Sequence, residues 1–187
     1  ARETLQACLV DPQAVSDEAC PFMGVIDTAL ESGVPCRIAR ISFSGEMAYE
    51  IYVPSDFGVH LADQLWSSAQ ARDGCQYGLE ALGALRIEKG HVTGAELDGR
   101  VTIDDAGLGS MASKTKHYIG SVLNNRPELL RDDRAQLVGI FPKDRTALFN
   151  AGSLLCAEHE VSGYGEGWVT GVTYSPALGH WIGIGFI

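Results

Sequence analysis

Glu46 is the residue whose neighbours best fit it for chemistry. It follows Gly45 on a short turn, Ser44-Gly45-Glu46-Met47, between two runs rich in strand-forming residues, 37–43 and 48–53. Backbone beside a glycine is uncrowded, so a carboxylate there can project into a neighbouring cavity. Held in one, it would accept two parallel hydrogen bonds from a planar pair of adjacent N–H groups, a charge-assisted contact that is strong and orients its partner. The N3–H and 2-amino group of a pterin ring form such an edge. The plainer reading of the same residue is a solvated acid on a turn.

Other chemistries find weaker footholds. Gly107-Leu108-Gly109-Ser110-Met111-Ala112 matches G-x-G-x-x-A in form, but that pattern cradles a dinucleotide only after a buried strand and before a helix. Here the acidic Ile103-Asp104-Asp105-Ala106 precedes it, which points to a structural loop. Patterns of the G-x-x-x-x-G-K-[ST], H-E-x-x-H and G-x-S-x-G types do not occur. His60, His91, His117, His159 and His180 show no triad spacing. Cys8, Cys20, Cys36, Cys75 and Cys156 are odd in number and irregularly spaced, which argues against a disulfide framework and for reduced thiols. The nearest approach to a metal pair is Cys156-x-x-His159, and with no second pair at matching spacing no metal is expected.

The elements that must position Glu46 follow from periodicity. Leu5, Cys8 and Leu9 have helical spacing, and 11–20 reads as a loop. The runs 37–43 and 48–53 form a hairpin. A helix capped by Ser55 or Asp56 should run to about Ala71, with Phe57, Leu61, Leu65 and Ala69 on one face. Gly78 and Gly90 bracket another, Leu79 to Lys89, with a buried stripe of Leu79, Leu82 and Leu85 and the acid-first, base-last polarity that a helix dipole favours. From Leu137 onward, short runs at 137–141, 153–156, 167–173 and 181–186 predict a small antiparallel barrel or sandwich. The fold class is therefore α+β: a mixed helix and sheet region, 1–130, followed by a small antiparallel β-barrel, 131–187.

The chain has 187 residues, 45% hydrophobic and 20% charged, the composition of an ordinary globular domain, with net charge −10. Residues 1–112 carry 7 basic and 17 acidic side chains, while 113–187 carry 7 of each. Nucleic acid requires a clustered basic face, so that class of partner is not expected. No apolar run reaches the 18 or so residues that span a bilayer, and no charged-then-apolar leader opens the chain. A cytoplasmic protein without a membrane partner is expected. The opening Ala1-Arg2-Glu3 and the apolar close, Trp181 to Ile187, read as cut ends of a longer polypeptide.

Several motifs together resemble the aminomethyltransferase family. They are Arg40-x-x-Phe43-Ser44-Gly45-Glu46-x-x-Tyr49-Glu50-Ile51, Gly78-Leu79-x-Ala81-x-x-x-Leu85-Arg86-Ile87-Glu88-x-Gly90, Gly94-x-Glu96-Leu97, Ala106-Gly107-Leu108, Tyr118-Ile119-Gly120 and Val169-Thr170-x-x-x-x-Ser175-Pro176-x-Leu178. The family includes the T-protein of the glycine cleavage system and the folate-binding parts of sarcosine oxidase and dimethylglycine dehydrogenase. Residues 77–90 look most like the alpha subunit of heterotetrameric sarcosine oxidase.

The resemblance implies tetrahydrofolate binding, with Glu46 matching the carboxylate that holds the pterin and Arg40, Phe43 and Tyr49 in the same motif. Arg86 and Glu88 match positions that form a structural ion pair rather than touch ligand. It further implies an oxidoreductase acting on CH–NH donors, in which the one-carbon unit of sarcosine is trapped as 5,10-methylenetetrahydrofolate. FAD, FMN and NAD, and the other sarcosine oxidase subunits, are implied only for the intact complex. The family's catalytic aspartate would lie before Ala1, so no catalytic residue is expected in this chain, which would be inactive alone and could pair as a homodimer. Three departures narrow the branch. Leu82 and Gly83 stand where T-proteins carry Arg and Asp, Met111 stands where a Trp is usual, and 89–96 lacks the cysteine of the folate-dependent branch that supports iron–sulfur enzymes. The alternatives are a transferase of the aminomethyltransferase or dimethylglycine dehydrogenase type, and a non-catalytic folate-dependent scaffold.

Overall fold

A computed structural model describes residues 1–156 and 165–187. The chain divides into two compact units, Ala1–Leu82 and Gly83–Ile187.

The first unit is a three-stranded antiparallel sheet with two helices. Helix α1 (Arg2–Gln6) buries Leu5, and Cys8 and Leu9 follow it into the interior, as their spacing predicts. Asp11 accepts a hydrogen bond from the Gln13 N–H and starts a single 3-10 turn, Pro12–Val15. Strands β1 (Val25–Ala29), β2 (Pro35–Ala39) and β3 (Glu50–Tyr52) follow in spatial order β1-β2-β3. Strand β1 is an element that the sequence pattern does not announce. On β2 the period of two is plain: Cys36 and Ile38 are buried while Pro35 and Arg37 are exposed. The outward Arg37 faces its register partner Asp27 and donates to both carboxylate oxygens, at 2.8 and 3.1 Å. Inward, Leu5, Leu9, Val15, Leu30, Ile38 and Leu61 form the core.

Helix α2 (Gly58–Gln70) starts later than expected. Ser55–Phe57 forms a 3-10 turn, and Phe57 occupies the N-cap with no side-chain hydrogen bond, so neither Ser55 nor Asp56 caps the helix. Leu61 is its buried contact, and Leu65 packs beside it.

Helix α3 (Leu79–Lys89) leads from the first unit into the second, whose described residues form a four-stranded antiparallel sheet: β4 (Leu137–Ile140), β5 (Leu154–Leu155), β6 (Gly167–Ser175) and β7 (His180–Phe186), in the order β4-β7-β6-β5. Gly90, at φ +76°, ends α3: its N–H returns to Ile87 O, and His91 N–H to Arg86 O. The expected stripe of Leu79, Leu82 and Leu85 is not what α3 buries. Leu79 is 86% exposed, and the buried residues are Arg86 and Ile87, the latter against Ile182 and Ile184 of β7. A bulge between Val169 and Gly171 interrupts the register of β6 against β7.

The expected closed barrel is not formed: among the described residues the edge strands β4 and β5 pair only with β7 and β6. β4 stops two residues before Pro142, which has no N–H to extend a ladder, and β5 is two residues long. The G-x-G-x-x-A segment follows turns rather than a strand and opens only a three-residue 3-10 turn, Gly109–Met111.

Candidate folate site

The segment between β2 and β3 is longer than the turn read from the sequence. The ladder stops at Ala39↔Glu50, so Arg40, Phe43 and Tyr49 lie in a ten-residue loop, 40–49. Local hydrogen bonds displace the ladder there. Ser42 Oγ accepts from the Gly45 N–H at 2.9 Å and Ser44 Oγ from the Glu46 N–H at 3.4 Å, a competition that serine offers any strand. Gly45, at φ +88°, supplies the left-handed residue that this turn needs.

Arg40, Ser42, Gly45, Glu46 and Met47 line one pocket of about 280 Å³, with Phe22 from the segment before β1. That segment is held by two backbone bonds, Met23 N–H to Arg40 O and Arg40 N–H to Gly24 O, both at 2.9 Å. Met23 adopts φ +67°, an unusual conformation for a residue with a side chain, and those bonds hold it. Glu46 is exposed, and among the described residues its carboxylate makes no hydrogen bond or ion pair. It is an uncommitted acceptor at a pocket wall.

The other predicted residues take different places. Arg40 donates through Nη1 to Asp17 Oδ1 at 2.6 Å and to Cys20 O at 3.1 Å. Tyr49 packs against the core, and its hydroxyl donates to Val15 O at 3.4 Å and accepts from Arg2 Nε at 3.1 Å. Phe43 is 38% exposed on the loop. The structure thus joins Arg40 and Glu46 at one pocket; Phe43 and Tyr49 do not line it. Sequence reading missed Asp17 and Arg2, which link the two ends of the loop. Arg2 donates to both oxygens of Asp17, at 3.1 and 2.5 Å. Hydrogen bonds from Arg2 and then Arg40 hold the Asp17 carboxyl down to about 2.

A larger hollow, about 730 Å³, lies beside β1 and β2, lined by Val25, Ala39, Tyr52 and Val53 among others. Its charged pair, Asp27 and Arg37, is already mutually satisfied, so it offers little to orient a polar ligand. In the second unit, Arg86 and Glu88 do not pair with each other. Arg86 pairs with Glu96 at 2.9 Å, while Glu88 accepts from Ser175 Oγ at 2.5 Å. Among the described residues no three His, Cys, Asp or Glu side chains are grouped to hold a metal ion; His159 lies outside those residues. No helix among them is long and apolar enough to cross a membrane.

The family model of the GCVT N-terminal domain matches residues 1–116. The chain belongs to this aminomethyltransferase family. It is 40% identical to the sarcosine oxidase subunit alpha of Corynebacterium sp. (strain P-1) over 186 residues, 97% of this chain and 19% of that protein. With the sarcosine oxidase subunit alpha of Rhizobium meliloti (strain 1021) it shares 39% over 192 residues, 100% of this chain and 19% of that protein. The aminomethyltransferase of Burkholderia multivorans is 32% identical over 186 residues, 95% of this chain and 46% of that protein. This GCVT family chain therefore spans about a fifth of the oxidase subunits it matches and under half of that transferase. Its fold is similar to that of the glycine cleavage system aminomethyltransferase T from Bartonella henselae, with TM-score 0.63 at 22% identity over 81% of this chain and 41% of that one.

Proposed function

We propose that this chain is the tetrahydrofolate-binding portion of a sarcosine oxidase alpha subunit, where the one-carbon unit from sarcosine N-demethylation is trapped as 5,10-methylenetetrahydrofolate. The observation that carries the reading is the uncommitted Glu46 carboxylate at a pocket wall, in a chain 40% identical over 97% of its length to a protein named sarcosine oxidase subunit alpha. An acceptor with both oxygens available fits a planar N–H pair, the edge a pterin presents.

In this reading Glu46 accepts hydrogen bonds from the N3–H and the 2-amino group and fixes the ring's orientation. Arg40 stands beside it on the pocket wall, Phe43 offers an aromatic surface from the same loop, and Tyr49 holds the loop's far end through Val15 and Arg2. Bound tetrahydrofolate would supply the nitrogen pair that takes up the one-carbon unit. In this reading the folate-binding region covers residues 1–130, that is, the first unit and the start of the second, and 131–187 is a C-terminal domain. Oxidation of the N-methyl group belongs to the complete complex, with its FAD, FMN, NAD and other subunits.

Calorimetric titration with tetrahydrofolate, under reducing conditions, tests the assignment. Wild type should bind, and Glu46→Gln should bind about 10- to 100-fold more weakly, since one oxygen and the charge are lost. Equal affinities would remove Glu46 from the site, and a wild-type chain that does not bind would remove the folate reading.

A further inference from the structure

We propose that Asp17 is a positioning residue of the Glu46 pocket: it holds the Arg40 guanidinium and so keeps the Glu46 carboxylate open for a ligand's N–H edge. The inference rests on the reading of Glu46 as a ligand acceptor. Its physical basis is that two opposite charges share one pocket of about 280 Å³ without pairing. A guanidinium on a long arm beside a free carboxylate forms a bidentate ion pair readily, and such a pair would occupy the two oxygens that a planar N–H edge needs.

Arg40 is instead committed elsewhere. Its Nη1 lies 2.6 Å from Asp17 Oδ1 and 3.1 Å from Cys20 O, and its side chain is only 15% exposed. Asp17 is 69% exposed, so burial does not hold it in place; what it meets are two guanidinia, those of Arg40 and Arg2. Arg2 in turn donates to the Tyr49 hydroxyl at 3.1 Å. One carboxylate therefore ties the first residue of the loop, and through Arg2 its last, to the body of the first unit. Without the Asp17 charge, Glu46 becomes the nearest acid offered to Arg40 by the pocket.

Two measurements on the full chain test this. In the first, Asp17→Asn, which keeps the side-chain shape, weakens tetrahydrofolate binding by about tenfold, the scale of one charge-assisted hydrogen bond. In an Arg40→Gln background the same change has no further effect, and Asp17→Glu keeps wild-type affinity. A loss of equal size in the Arg40→Gln background, or in Asp17→Glu, would make Asp17 a general structural acid and overturn the proposal.

The second measurement needs no ligand, so it separates failure of this inference from failure of the folate reading. In nitrogen-15 labelled protein the Arg40 Nε–H resonance moves in Asp17→Asn, and adding Glu46→Gln moves it again, because Glu46 has become its partner. A resonance in Asp17→Asn that is indifferent to Glu46 would overturn the proposal even in a chain that binds folate.

Discussion

Arg86 of α3 donates through Nη1 to Glu96 Oε2 at 2.9 Å, and this ion pair is buried: Glu96 is fully inaccessible and Arg86 is 9% exposed. The same Glu96 oxygen accepts from the Thr93 N–H at 2.7 Å and from Thr93 Oγ1 at 2.9 Å. The other, Oε1, is buried without a hydrogen bond among the described residues. The Thr170 hydroxyl is committed elsewhere, donating to Ile184 O at 3.0 Å. Gly171 leaves room for the guanidinium, since a Cβ there would stand 2.9 Å from Arg86 Nη2. Two motifs separated in the sequence thus meet as one ion pair under the sheet.

Removing one partner should cost far more than the pair contributes. Glu96→Ala leaves a buried guanidinium without its counter-charge, a loss of about 3–5 kcal/mol. Arg86→Met combined with Glu96→Leu removes both charges and should recover much of that. Hydrogen exchange in β6 and β7 reads the second unit directly. A single variant as well protected as wild type would show that the pair carries no structural weight.

This pair also shows what the sequence could and could not convey. The ends of α3 were legible because Gly78 and Gly90 punctuate it, and Gly90 does adopt the left-handed cap conformation. Its buried face is not, because the leucine spacing points to an apolar stripe while the buried polar side chain is Arg86, whose partner lies ten residues on. Strand β1 went unseen because Val25–Ala29 is a short run whose assignment depends on pairing with β2. The turn beside Glu46 is legible from Gly45, which adopts φ +88°. Asp17 was not, since nothing local marks an acid 23 residues before Arg40 as its partner.

The acid limb of stability should be steep in both units. Asp17 in the first unit sits at about 2 when folded, against an ordinary value of 3.8. In the second unit, burial alone would raise Glu96 and Asp105, but their bonding outweighs it. Thr93 and the Arg86 charge hold Glu96 down, and Arg134 and Thr102 hold Asp105 down. A carboxyl depressed in the folded state binds protons more readily when unfolded, so its stabilisation is complete above the unfolded value and is lost as pH falls through the folded one. For Asp17 that window runs from about 4 down to about 2. Asp17→Asn should flatten the acid dependence of exchange in the first unit and leave that of β6 and β7 unchanged. An unaltered acid limb in the first unit would mean that the Arg2 and Arg40 contacts do not persist in solution.

Glycines in the second sheet should divide sharply by position. On β7, Ile182, Ile184 and Phe186 are buried, and Gly183 and Gly185 alternate with them. A Cβ on Gly185 would meet Trp168 O at 2.3 Å, Ile140 Cδ1 at 3.0 Å and Val169 Cα at 3.0 Å, and the first and last belong to backbone that cannot step aside. Gly185→Ala therefore forces the β6–β7 ladder apart, at a cost of about 1–3 kcal/mol or more. Gly139 on the edge strand β4 is the control, because among the described residues its only neighbour within 4 Å would be Phe141 Cε2 at 3.8 Å. There the methyl restricts the unfolded chain without a clash, so Gly139→Ala should be neutral or stabilising by up to about 1 kcal/mol. Urea unfolding followed by exchange in β6 and β7 distinguishes the two, and equal effects would mean that the close approach at Gly185 is not what holds these strands in register.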